Sequence, residues 1–148
     1  MKGYEVKRIK NLMDENIQLL VDESQKEGFR FLQKLVNNYK EGSNTFTMPG
    51  EALYAVYDQD GVMIAVGGIN INPFSDDTHI GRVRRFYVAR DYRRKGIGTL
   101  LLETLISEAK NHFQIMVLNS TPQADAFYTS FGFIKSDKYQ KSTYYLPL

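Results

Sequence analysis

Between Arg82 and Ala109 the chain reads RVRRFYVARDYRRKGIGTLLLETLISEA, and this stretch admits few folds. Val83, Phe86, Tyr87 and Val88 are β-branched or aromatic and predict a strand. Ile97, Leu100, Leu101, Leu105 and Ala109 recur at helical spacing, so the pattern predicts a helix beginning near Gly96. The connection is Arg93-Arg94-Lys95-Gly96-Ile97-Gly98. A helix start presents unpaired N–H groups and the positive end of the helix dipole, which together attract anions. Gly96 and Gly98 have no Cβ, so an anion can come close to the backbone. The turn therefore reads as a cradle for a pyrophosphate.

The rest of the chain fits around this unit. Tyr4 to Ile9 alternates as a first strand, and Asp14 is a candidate N-cap for a helix carrying Ile17, Leu20, Val21 and Ser24, which Gly28 closes or bends. A second helical pattern, Leu32, Leu35, Val36 and Tyr39, stops at Gly42. Glu51–Tyr57 and Val62–Ile71 read as strands joined through Asp60-Gly61, a hairpin signal, and His79–Val88 as the next strand. Ile115 to Leu118 is a continuous apolar run suited to a buried strand. A strand–helix–strand succession crosses over right-handed, which predicts a parallel pair joined by the cradle helix. Thr121 and Pro122 predict a helix start, Ala124, Phe127, Tyr128 and Phe131 share its face, and Gly132 ends it. Phe133–Ser136 and Thr143–Leu146 close the chain as strands. The sum is one α/β domain of α+β type spanning residues 1–148, a mixed and mostly antiparallel sheet of six to seven strands with about four helices.

Composition removes several functional classes. There is no cysteine, which excludes disulfides, thiolate metal sites and a cysteine nucleophile. His79 and His112 are isolated and lack ligand spacing, so no metal is expected. No stretch approaches membrane-span length and MKGYEVKRIK has no apolar signal core, which predicts a cytoplasmic protein. The net charge of +2 does not by itself call for nucleic acid, but the cations are concentrated. Seven of the 19 fall between Arg82 and Lys95, opposed only by Asp91. They are either contacts to a local anionic ligand or a solvated face.

Arg93-x-x-Gly96-x-Gly98 between a strand and a helix resembles the coenzyme A signature of the GNAT superfamily of N-acetyltransferases. Asn119, Ala124, Phe127-Tyr128 and Gly132-Phe133 resemble that superfamily's second motif, and the two together span about residues 79–133. The resemblance implies a GNAT-like domain that moves an acetyl group from acetyl-CoA directly to an amine of a small molecule or peptide. Homodimers are common among such proteins. Carried over by position, backbone groups of Phe86 and Val88 would pair with the pantetheine arm. The N–H groups of Arg94, Lys95, Gly96, Ile97, Gly98 and Thr99 would bind pyrophosphate, with the side chains of Arg93, Arg94 and Lys95 reaching phosphate oxygens. Asn119 would hold the arm from the neighbouring strand, and Tyr128 would lie beside the sulfur as general acid. Tyr128 equally fits an aromatic core position.

Many relatives put a glutamate on the strand before the cradle, where this chain has Arg82. Substitute bases are His79, Asp76, Asp77 and Glu51. The superfamily's architecture implies acceptor walls from the first two helices and last two strands, with Glu23, Glu27, Phe29, Phe31, Tyr139, Tyr144 and Tyr145 as candidates and an acceptor with some apolar body. Two rival functions are a non-catalytic acyl-CoA-binding regulatory module and a nucleic-acid-binding domain. The latter needs a stripe of exposed cations with interleaved aromatics.

Overall fold

In the computed structural model, which describes residues 3–148, strand-forming and helix-forming runs become β1 (Glu5–Arg8), α1 (Gln18–Lys26), α2 (Phe31–Glu41), β2 (Ala52–Tyr57), β3 (Met63–Ile71), β4 (Ile80–Val88), α3 (Ile97–Ala109), β5 (Ile115–Leu118), α4 (Asp125–Thr129), β6 (Ile134–Lys135) and β7 (Tyr144–Pro147). The seven strands form one sheet in the order β1-β2-β3-β4-β5-β7-β6. Only β4 and β5 run parallel, joined by α3 as the strand–helix–strand pattern predicts. The other neighbours are antiparallel.

The apolar stripe of α3 is what fastens the cradle helix to the sheet. Ile97, Leu101, Leu102, Leu105 and Ala109 are fully buried, and Leu101 and Leu105 pack up to Gly67 on β3. Removing one such leucine side chain costs about 2–5 kcal/mol. Adjacent strand residues face opposite sides of a sheet. Phe86 accordingly meets Phe127 of α4, while Tyr87 meets Phe31 of α2, with ring centroids 6.3 and 6.2 Å apart. The cradle helix thus lies under one face, and α1 and α2 cover the other.

Two local expectations are corrected. Asp14 does not cap α1. It ends a short 3₁₀ turn, Leu12–Asp14, in which the Asn11 side chain accepts from the Met13 N–H at 3.0 Å, and α1 begins only at Gln18. The predicted helix after Thr121 is divided into a 3₁₀ turn, Pro122–Ala124, and the five-residue α4. Thr121 makes no side-chain cap, and the segment is held by its aromatic contacts. The remaining elements match within two residues at their ends, and Gly42 closes α2 in the left-handed conformation, as expected of a C-terminal glycine.

Candidate active-site cleft

The parallel pair does not stay paired. β4 contacts β5 only from Ile80 to Arg82, against Ile115 to Val117, while Leu118 at the end of β5 still pairs with Tyr144 of β7. Beyond Arg82 the two strands part. On its other side β4 also departs from regular pairing: Val66 faces Tyr87 but Gly68 faces Arg84, so Arg85 and Phe86 together oppose Gly67. This is a β-bulge, and Arg85 takes a left-handed φ of 58°, a conformation that bulges usually give to glycine. The splay and the bulge open a cleft of about 990 Å³ along β4, bounded by α3, α4 and the N-terminus of α2.

At one end of the cleft lies the turn before α3. Arg94 and Gly96 have φ of 62° and 82°, a left-handed pair separated by one residue that aims successive N–H groups to one side. The Leu100 N–H donates to the Gly96 carbonyl at 3.0 Å and closes the first helical turn. The six N–H groups from Arg94 to Thr99 make no hydrogen bond of ordinary geometry with the described residues. Gly98 faces the cleft: a Cβ there would touch the Phe127 ring at 3.4 Å.

The candidate residues divide by how they reach this space. Phe86, Val88, Arg93, Arg94, Gly96, Gly98, Thr99, Asn119 and Tyr128 all border the cleft. Ile97 is buried in the core and offers only its N–H. The Lys95 ammonium is exposed and lies 5.6 Å from the centre of the Tyr92 ring. The Arg93 guanidinium is turned inward, bonding both carboxylate oxygens of Glu27 at 2.6 and 2.9 Å, with its Nε on the Val88 carbonyl at 3.0 Å. Arg93 thus ties the turn to α1 while still bordering the cleft. The Glu27 carboxyl is held at about 2, first by the hydrogen bond from Arg93 and then by one from the Tyr87 hydroxyl. The same hydroxyl lies 2.6 Å from a Glu23 oxygen, so its one proton is shared between the two carboxylates, and its pKa is raised by burial and by both of them.

Tyr128 lies in the core and at the cleft at once. Only 7% of it is exposed and it packs on Phe127, Phe133 and Tyr144, yet it reaches the cleft. Burial pushes its hydroxyl above the usual value, an effect partly offset by Ser120, so it is protonated at neutral pH.

None of the four substitute bases borders the cleft. Both Glu51 oxygens are engaged, one by the Met48 N–H at 3.1 Å, the other by Asn70 at 3.0 Å and the Ile71 N–H at 2.9 Å. His79 is exposed and bonded to Asp77 at 3.1 Å, and Asp76 is exposed on the same loop. Among the described residues, the cleft lining contains no carboxylate and no imidazole. Of the expected acceptor walls, Phe29 and Phe31 border the cleft; Tyr144 is in the core, and Tyr139 and Tyr145 meet edge to face without bordering it.

Three cleft arginines take places that sequence reasoning missed. Arg82, 4% exposed, donates to Asn72 Oδ1 at 3.0 Å, the Lys141 carbonyl at 2.9 Å, the Gln140 carbonyl at 3.1 Å and Ser142 Oγ at 2.7 Å. It clamps the loop before β7 onto β4, and burial pushes its pKa down to about 10. Arg84 and Arg85 follow it on the strand, half-buried. The only advance signal for these places was charge at three strand positions. The exposed basic stripe that nucleic acid needs does not form from them. Among the described residues, no three His, Cys, Asp or Glu side chains come together as metal ligands, and no helix is long and apolar enough to cross a membrane.

The sequence profile of the acetyltransferase (GNAT) domain matches residues 20–144. A structure from Exiguobacterium sp. 255-15, assigned as an acetyltransferase, is 32% identical, with TM-score 0.87 over 97% of this chain and 93% of that one. A GNAT-family acetyltransferase of Staphylococcus aureus Mu50 is 14% identical with TM-score 0.75 over 99% of both chains. One from Elizabethkingia anophelis, solved with acetyl-CoA bound, is 16% identical with TM-score 0.68 over the full length of both; these last two likenesses are of fold. No curated protein matches the sequence.

Proposed function

The chain belongs to the GNAT acetyltransferase family, and from that membership we propose that it moves an acetyl group from acetyl-CoA directly to an amine of a small molecule or peptide. The observation that carries the coenzyme A part is the run of six N–H groups without acceptors at the cleft mouth. Unpaired helix-start N–H groups with a left-handed pair of residues favour a diphosphate over any neutral ligand. Arg94 and Lys95, both exposed, would add charge from their side chains. Ala89 donates to Ile64 of β3 at 2.8 Å, so by alternation Phe86 and Val88 turn their polar groups to the open edge, where the Phe86 groups and the Val88 N–H could pair with a pantetheine amide while the Val88 carbonyl accepts from Arg93. Asn119, exposed at the end of β5, would face it from the other side.

Bound acetyl-CoA would supply a thioester carbonyl for attack and a thiolate leaving group. Tyr128 would give its hydroxyl proton to the sulfur as the C–N bond forms and the C–S bond breaks. A thiol pKa of about 8.5 lies below that of tyrosine and burial widens the gap, so the transfer runs uphill, a cost that hydrogen bonding from a positioned hydroxyl to the charge growing on sulfur offsets. With no carboxylate or imidazole in the lining, the acceptor nitrogen loses its proton to water. An α-amino group near pKa 8 would lose about 1.4 kcal/mol at pH 7 on this account, and a lysine-like amine about 4.6 kcal/mol.

The missing base also supports a second reading, an acyl-CoA-binding module without turnover. A panel of amines with acetyl-CoA separates the two by release of free coenzyme A. A rise in melting temperature with coenzyme A is expected on both readings, and its absence would remove both.

A further inference from the structure

Resting on the transferase reading, we infer that the amine acceptor carries an anionic group, carboxylate or phosphate, received by Arg84 and Arg85 at the inner end of the cleft. Both side chains are half-buried and border the cleft. Neither takes part in an ion pair with any described residue. Burial lowers the pKa of both, and a charged neighbour, Arg84, adds to the effect at Arg85. The nearest acidic influence on Arg84 is Glu51, whose oxygens are already occupied by Asn70 and two backbone N–H groups.

A guanidinium removed from water without a partner is costly, and a like charge on a neighbouring residue adds to the cost. Arg82 shows how this fold satisfies such a group when its role is structural: its donors are filled by two carbonyls and two side chains. Arg84 and Arg85 are left with their forks unfilled beside open space. Planar forks of this kind match carboxylate and phosphate oxygens two at a time.

The donor's own phosphates do not account for them. At about 3.3 Å per residue, Arg84 lies roughly 13 Å along β4 from Val88, away from the Gly96–Thr99 turn. One diphosphate therefore does not serve both ends. Around the arginines, Phe29, Phe31 and Phe74 contribute aromatic walls, with Phe74 under the Arg82 guanidinium at 4.8 Å. The acceptor that fits is an amine joined to an anion through a body with apolar surface. The surrounding positive charge also lowers the pKa of an acceptor ammonium, which suits a cleft without a base.

Matched pairs test this with the whole chain: L-phenylalanine against phenethylamine for carboxylate, and tyramine phosphate against tyramine for phosphate. Both coenzyme A release and binding to the coenzyme A-loaded protein are read. At least one anionic member should exceed its neutral partner tenfold or more in kcat/KM or Kd, and which pair shows it names the anion. In Arg84→Gln or Arg85→Gln that preference should fall to threefold or less. Neutral amines that do equally well, anionic members that fail to bind, or a preference retained in both variants would overturn the inference. Anionic members that bind without releasing coenzyme A would leave the anion site standing and sink the transfer reading instead.

Discussion

At one end of the cleft, six N–H groups from a single contiguous turn have no acceptor among the described residues; at the other, three arginines of β4 sit among phenylalanines drawn from two distant segments. Both ends are electropositive, but they are built differently. The outer end draws its field from backbone held by two left-handed residues, so its geometry survives most side-chain changes. The inner end depends on side chains whose positions are set by loops such as 140–142. Backbone devices suit a ligand part that never changes; side-chain devices suit a part that differs between relatives.

The contrast can be broken most forcefully at Arg82. Arg82→Ala should strip the clamp and leave two carbonyls and two side chains without donors, costing about 3 kcal/mol of stability, with thermal melts falling by roughly 6–12 °C. A melt within 2 °C of the parent would mean the inner end does not rest on that clamp. Next in size, Tyr128→Phe should lower kcat about 100-fold while coenzyme A binding by thermal shift stays within twofold; unchanged turnover would return Tyr128 to the core alone.

At the outer end, Gly96→Ala places a Cβ on a residue with φ of 82°. It should cost about 1–2 kcal/mol and weaken coenzyme A binding roughly tenfold by calorimetry. Equal affinity would argue that the backbone does not form the cradle.

The Glu27–Arg93 pair joins the turn to α1, and its contribution is about 1 kcal/mol because Arg93 is substantially exposed. The folded Glu27 carboxyl titrates at about 2 against an ordinary value of 4.5, so the pair contributes fully above about pH 5. That contribution fades as pH falls from 4.5 toward 2. Denaturant titrations of the parent and E27Q should therefore differ at pH 7 and converge by pH 2; a gap constant across that range would assign the effect to packing. The smallest effect belongs to Lys95→Ala, which should reduce coenzyme A affinity two- to threefold, less at high salt, with the melting temperature unchanged.

How much could be read from residues alone follows the same divide. The strand, turn and α3 lie within 28 consecutive positions, and their logic is local: β-branched run, glycines, helical repeat. The strand–turn–helix unit was legible for that reason, and so was the parallel β4–β5 pair. Asp14 misled because capping residues recur in short turns, and Asn11 and Asn16 both make such bonds before α1. Arg93 sits in its expected segment, but its side chain is directed by Glu27, 66 residues earlier. No spacing rule carries that information. Tyr128 could be read as core or as cleft, and it is both, because α4 lies at the cleft's rim.

From the order of its residues the chain determines which segments are strands and helices, that a right-handed crossover makes two strands parallel, and that one turn exposes amide protons. These follow from dihedral preference, periodicity and the absence of Cβ, all properties of neighbours in the chain. Tertiary structure alone decides that β4 bulges and parts from β5, that Arg82 is buried by a loop 58–60 residues onward, and that Arg84 and Arg85 keep their donors free. A guanidinium looks the same in a sequence whether it clamps a loop, closes an ion pair or waits for an anion. What separates these fates is the set of partners that folding brings within hydrogen-bond distance.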